Sequence, residues 1–295
     1  MRYPAFPPYG SALKIGTREI GNGAPCLVVA EVGLAHDGSL GMAHAYVDAA
    51  AKAGAGAVKF QRHRPEDGGE WRTPPTWKAE SRAEYWSRTA FTQREWVRLA
   101  DHSDAANLLF LCSAFSVGAA MALERLVPAW KVASGQVTNG PMLDFMAAHP
   151  KPTIISTGMA TEEEIWQAAG RFKEWSLLHC VSLYPTPLDR IGLERERIGA
   201  HNINTLWPSG LSDHSGTIWP ALAAATMGAA MVEVHVTFSR DAYGPDTASS
   251  ITMAELATLC EGIEAIRKAQ QPVDREALLA GPLAEARRVY MGVGA

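Results

Sequence analysis

No two cysteines in this chain stand close together. Cys26, Cys112, Cys180 and Cys260 are scattered over 295 residues and form no CxxC pair. That pattern excludes a zinc ribbon and a disulfide scaffold. Basic blocks are also missing, and the net charge is -4, so the broad cationic footprint of a nucleic-acid binder is absent. No apolar run approaches the roughly 20 residues that cross a bilayer. The N-terminal MRYPAFPPYGSALKIG has neither the apolar segment nor the cleavage pattern of a signal peptide. Internal repeats and low-complexity stretches are lacking too. The expectation is a reduced, cytoplasmic protein with no membrane and no nucleic-acid partner. What is present is 47% hydrophobic residues, enough for a sizeable core, in a length usual for one α/β barrel.

Short apolar runs alternate with longer helical ones. CLVVAEVG from Cys26 has a buried-strand pattern, and the alanine-rich run from Leu40 is closed by Gly54 as a helix with a C-terminal stop. AVKFQ from Ala57 is the second strand. A polar, tryptophan-containing stretch from Arg62 to Arg88 is expected to be a long βα loop, with its helix starting after Thr92 as N-cap. Strands follow at LLFLCSAF from Leu108, WKVAS from Trp130, PTIIST from Pro152, SLLHCVS from Ser176 and MVEVHVTF from Met231, and the segment TLWPSGLSDHS from Thr205 contains the seventh. Helical runs separate them, one opening with Thr161 and Glu164 in capping-box spacing. The tail from Gln270 to Ala295 is expected to hold a closing helix and an irregular end. Eight βα units with near-continuous apolar strands predict a parallel sheet buried on both faces. Unbroken alternation favours a single closed (β/α)8 barrel over residues 1–295 rather than a two-domain doubly wound enzyme.

Chemistry in such a barrel sits at the C-terminal ends of the strands. Polar residues recur there: Glu31; Lys59 and Gln61; Ser113; Lys131 and Ser134; Ser156; Ser182 and Tyr184; Ser212, Asp213 and His214; Glu233 and His235. A lysine inside an apolar strand is costly without an anionic partner. Lys59 and Lys131, with the serines, would cradle a phosphate or carboxylate; the alternative is a pair of structural salt bridges to Glu31 or Glu233. Each serine alone is better explained by a core hydroxyl or a turn residue than by a ligand. His214 and His235 lie on neighbouring strands and can converge on one divalent metal, with Glu233 two residues from His235 and pointing the same way. The alternative is that one of the two is a satisfied core histidine. Among the other histidines only His36, beside the first strand, is placed to reach the site.

These strand ends resemble the sialic acid synthase family. The matching segments are AEVGLAHDG (Ala30 to Gly38), VKFQ (Val58 to Gln61), KVASGQ (Lys131 to Gln136), STGMAT (Ser156 to Thr161), LHCVSLYPTP (Leu178 to Pro187), GLSDHS (Gly210 to Ser215), EVHVTF (Glu233 to Phe238) and GPD (Gly244 to Asp246). Eight motifs in one order are specific for the family and less so for the substrate. The resemblance implies a (β/α)8 barrel that condenses phosphoenolpyruvate with an open-chain amino sugar, releasing phosphate and leaving a 2-keto-3-deoxy acid. It implies His214 and His235 as ligands of manganese or magnesium. Lys59, Gln61, Ser113, Lys131, Ser134, Ser156, Ser182 and Ser212 match positions that grip phosphoenolpyruvate. Glu31 and Asp246 match positions facing the metal's water or the sugar, and Tyr184 and Asp213 fall on the aldehyde side. Such family barrels often dimerise, so a homodimer is a possible assembly.

Departures accompany the likeness. Gln136 stands where the family usually has an acid, and a glutamine cannot act as a base; proton transfer would then fall to Glu31, Glu233 or Asp246. Ala35 and Thr247 replace a usual asparagine and histidine, and Ser182 stands where some members have asparagine. Family members usually continue into a small antifreeze-like domain, and none is expected within 295 residues. The phosphoenolpyruvate half is thus expected to be retained and the sugar half altered, with an acceptor other than N-acetylmannosamine. Two rival functions use the same residues: a metal-dependent barrel aldolase or lyase acting on a keto acid, and a degenerate family member that only binds.

Overall fold

The computed structural model describes residues 12–64, 80–193 and 208–292. His201, residues 205–207 of the segment expected to contain the seventh strand, and most of the expected 62–88 loop lie outside them. The chain enters through a hairpin, β1 (Leu13–Ile15) against β2 (Arg18–Ile20), whose Leu13, Ile15 and Ile20 are buried. Eight parallel strands follow: β3 (Leu27–Gly33), β4 (Ala57–Arg62), β5 (Leu109–Ala114), β6 (Trp130–Val132), β7 (Thr153–Ser156), β8 (Trp175–Cys180), β9 (Ser209–Asp213) and β10 (Met231–Thr237). Each pairs with its sequence neighbour, and β10 pairs with both β9 and β3, which closes the ring. The expected (β/α)8 barrel is therefore the fold. A short β11 (Ile251–Thr252) extends β10 on its outer side.

The helices form the outer layer: α1 (Leu40–Lys52), α2 (Arg82–Thr89), α3 (Gln93–Ala105), α4 (Val117–Leu123), α5 (Gly140–Ala148), α6 (Glu162–Ala169), α7 (Trp219–Thr226) and α8 (Met253–Ala269). Capping boxes start four of them, at Ser81, Thr92, Thr161 and Thr252. In each the N-cap hydroxyl and a glutamate three residues on satisfy otherwise unpaired amides. Every residue of β3, β5 and β10 is buried, charged ones included. Burying each valine or leucine stabilises by roughly 1.5–3 kcal/mol, so the apolar positions hold the strands while polar ones can be spent on a site.

Two expectations need correction. The 62–88 stretch is not loop throughout, because its last part forms α2. That helix buries Tyr85 and Thr89 and is tied by Arg88 to Asp37 and Glu80. The tail is more helical than expected: α9 (Arg275–Ala280) and α10 (Ala284–Met291) follow α8, and neither buries a residue. No described helix is long and apolar enough to cross a membrane.

Candidate active site

Alternation along β4 sends Lys59 and Gln61 to the barrel interior, while Phe60 packs outward into the core. The same period on β10 turns Glu233 and His235 inward, in register with Ser212 of β9 and Glu31 of β3. At the C-terminal mouth these side chains surround a cavity of about 420 Å3. Fourteen of the residues singled out in the sequence line it: Glu31, Lys59, Gln61, Ser113, Lys131, Ser134, Gln136, Ser156, Tyr184, Ser212, His214, Glu233, His235 and Asp246.

The floor is an ionic array. Lys59 Nζ lies 2.9 Å from Glu31 Oε2 and 3.5 Å from Glu233 Oε1, and donates to Ser113 Oγ at 3.2 Å. Lys131 Nζ lies 3.6 Å from the same Glu233 oxygen and donates to Ser156 Oγ at 2.7 Å. Ser212 Oγ donates to Glu233 Oε1 at 3.0 Å. Three donors thus crowd one carboxylate oxygen, and Glu233 Oε2 is buried without a partner among the described residues. Lys59, Lys131, Glu31 and Glu233 are each at most 4% exposed. Burial disfavours every one of these charges, so their balance is set by their mutual field. Burial pulls Lys59 down, but Glu233 and Glu31 together hold its ammonium above the usual lysine range. At Lys131 burial wins, with Lys59 adding to it, and the ammonium is held below that range. Burial pushes Glu233 up, yet Lys131, Lys59 and Ser212 keep its carboxyl below the usual range. The structural salt bridges weighed as the alternative are therefore present, at the place where a cradle is expected.

His214 and His235 form the wall above this floor, with ring centroids 5.2 Å apart. His214 Nδ1 faces the Val181 carbonyl at 3.1 Å and Nε2 faces the Tyr184 hydroxyl at 3.2 Å. A proton on Nδ1 toward that carbonyl would leave the Nε2 lone pair facing the Tyr184 hydroxyl. His235 Nδ1 stands 3.8 Å from Asp246 Oδ2, and burial lowers its pKa below the ordinary imidazole value. His214 differs: burial pulls its pKa down, but its contacts with Cys180 and the Val181 carbonyl hold it above the ordinary imidazole value, whereas a divalent ion takes the neutral form. Among the described residues no three His, Cys, Asp or Glu side chains converge as a metal-holding group.

Some placements differ from expectation. Asp213 is turned away from the cavity, where its carboxylate accepts from the Ser215 amide at 3.0 Å and hydroxyl at 2.8 Å. Ser182 is also off the cavity wall and touches Cys180 Sγ at 3.8 Å. It helps pack the turn at Gly158, where any Cβ would fall 2.4 Å from Ser182 Oγ. His36 does not reach the site; it is fully buried and stacks on Phe91 at 4.4 Å. Gln136 is on the wall, its Oε1 accepting from Asn139, the residue that caps α5. Sequence inspection missed His63, Arg82, Tyr85 and Trp86, all on the cavity wall. Period two along β4 was the available signal for His63. A Ser81–Glu84 pair in capping-box spacing was the signal for the helix that carries the other three.

Comparisons with known proteins identify the family. The family model described as NeuB matches residues 46–274. The chain is 30% identical over 260 residues to the N,N'-diacetyllegionaminic acid synthase of Campylobacter jejuni, covering 82% of this chain and 77% of that one. It is 31% identical over 271 residues to the spore coat polysaccharide biosynthesis protein SpsE of Bacillus subtilis, covering 86% and 70%. Its fold matches the crystal structure of an N-acetylneuraminic acid synthetase from Leptospira borgpetersenii, in complex with citrate, with a TM-score of 0.80 and 29% identity over 97% of this chain and 99% of that one. The chain belongs to the NeuB family, the sialic acid synthase-type family that its strand-end motifs resemble.

Proposed function

We propose that this protein condenses phosphoenolpyruvate with a sugar-type aldehyde, giving a 2-keto-3-deoxy acid and inorganic phosphate. The observation that carries the proposal is the buried Lys59–Glu31–Glu233–Lys131 array, with its serines, beneath two facing imidazoles. Phosphoenolpyruvate needs fixed cations and hydroxyl donors. Lys131, with Ser156 beside it and only a shared carboxylate oxygen against it, is the floor lysine more open to an incoming anion. Lys59, held by both glutamates, keeps the array together and offers Ser113 alongside.

In the condensation, the enol carbon of phosphoenolpyruvate bonds to the aldehyde carbon, and the aldehyde oxygen takes a proton. Water adds to the carbon that bears the phosphate ester; its proton is removed, the C–O bond to phosphate breaks, and the keto acid remains. Asp246, unlike Glu31 and Glu233, is not paired with either lysine, and it borders the cavity beside His235. We assign it the removal of the proton from the attacking water. Glu31, bound to Lys59 and Gln61, orders the water side of the floor. His214 and His235 would hold manganese or magnesium, which when bound supplies Lewis-acid polarisation of the aldehyde. Tyr184, at the mouth and on His214, borders the acceptor. Gln136 supplies no base, and this neutral wall supports an acceptor other than N-acetylmannosamine.

The test is release of inorganic phosphate from phosphoenolpyruvate with manganese or magnesium across a panel of aldoses and 2-acetamido aldoses. Turnover that needs phosphoenolpyruvate separates this reaction from a keto-acid aldolase. Turnover confined to N-acetylmannosamine would contradict the acceptor assignment.

A further inference from the structure

We propose that His63 is a positioning residue for the Glu31 carboxylate, acting through the amide of Gln61. Its kinetic consequence rests on the phosphoenolpyruvate reading above; its structural content does not.

His63 lies two residues beyond Gln61, just past the end of β4, and so falls on the same side of the chain. Its ring is clamped on both faces. Trp86 of α2 stacks at 4.4 Å with 14° between planes, and Phe115, directly after β5, stacks at 3.9 Å with 23°. A ring sandwiched this way can act only through its edge. His63 Nε2 lies 3.0 Å from Gln61 Oε1, and Gln61 Nε2 donates to Glu31 Oε1 at 2.8 Å.

The chemistry fixes the direction of this chain of bonds. A carboxylate only accepts, so the Gln61 nitrogen faces Glu31 and its oxygen faces His63. The imidazole must then carry its proton on Nε2. The other tautomer would set two lone pairs against each other. Nδ1 is left bare, buried and without a partner among the described residues. Burial, with the Arg82 charge adding to it, lowers the His63 pKa to about 3, so the ring stays a neutral, single donor.

A second feature confines the same amide. Gly33 ends β3 with φ +56°, and a Cβ there would stand 3.1 Å from Gln61 Nε2 and 3.5 Å from Asp246 Oδ2. The glycine leaves just the room that the amide fills. Glu31 is thereby set at both oxygens, one by Gln61 and one by Lys59. Without the His63 donor, the Gln61 amide is free to rotate by half a turn and point its oxygen at the carboxylate.

Two measurements test this. The first is 15N NMR of the histidine rings in the whole protein, with His63 assigned by its absence in His63→Phe. The expected result is a bare Nδ1 and a protonated Nε2 from pH 5 to pH 8, with the tautomer preference lost in Gln61→Met. An Nδ1–H tautomer, or titration of His63 within that range, overturns the proposal without any assay. The second is kinetic. His63→Phe keeps a flat ring between Trp86 and Phe115 but removes the donor. The expected result is a kcat lower by about tenfold, the worth of one well-made hydrogen bond, with the KM for phosphoenolpyruvate within about twofold. In the Gln61→Met background His63→Phe should add nothing, as expected for groups acting in series. A further full tenfold loss there, or a change confined to KM, would overturn the role. If the unaltered protein releases no phosphate with any aldose, the function reading fails, and the tautomer alone decides the positioning role.

Discussion

Lys59 sits between two carboxylates, whereas Lys131 shares one, and the two should respond differently to removal. Lys59→Met leaves Glu31 and Glu233 buried with a single cation between them. Breaking a buried ion pair on one side costs about 3–5 kcal/mol, so a large fall in thermal midpoint is expected. Lys131→Met leaves Glu233 with Lys59 and Ser212. Its stability loss should be under about 2 kcal/mol, while phosphoenolpyruvate-dependent turnover falls by at least 100-fold, the order expected for losing a charge-assisted contact. Equal melting shifts for the two variants would show that the array is not divided in this way. Both lysines were visible in the sequence because a cation inside an apolar strand is conspicuous. How their charges are shared was not, because it depends on which strand neighbours which.

His36 shows the opposite case, a residue that looked available and is not. Its ring is fully buried, and burial lowers its pKa to about 4 from an ordinary value near 6.5. Between those values the unfolded chain binds a proton that the folded one refuses, so stability falls as pH drops through that window. At pH 5 the loss is about 2 kcal/mol. His36→Phe should therefore lose less midpoint between pH 7 and pH 5 than the unaltered protein does. An identical loss would remove His36 as the cause.

At the scale of elements, the strands were legible because each is a compact apolar run, and the polar intruders marked their inner faces. Residues such as Glu233 and His235 could be placed together from period two alone. The α2 helix was hidden because it is short, largely polar and buries only Tyr85 and Thr89. The β1–β2 hairpin was hidden too, since three-residue strands carry no readable period. Capping boxes were legible where sought, at Thr161, and equally present where not sought, at Ser81 and Thr252. The last of these starts α8, which packs on α7 and α1. Thr252→Ala should cost about 1 kcal/mol, read as a shift in denaturant midpoint with unchanged slope. No shift would mean that packing alone sets the start of that helix.

For the whole molecule, closure of β10 onto β3 is what makes the site. It brings His235 beside Glu31, residues some 200 positions apart, and sets both over the lysines of β4 and β6. The fold class followed from counting strands, and the family from the order of their end motifs. The acceptor did not follow, because the cavity wall is built partly from α2 and from residues such as Gln136 whose neighbours only the fold supplies. Phosphate release from phosphoenolpyruvate, followed with manganese and the aldose panel in parallel for the unaltered protein and Lys131→Met, tests the central claim most directly. The account predicts release that requires phosphoenolpyruvate, metal and an aldose together and is abolished in the folded variant. Release that is indifferent to the aldose, or that survives Lys131→Met, would contradict it.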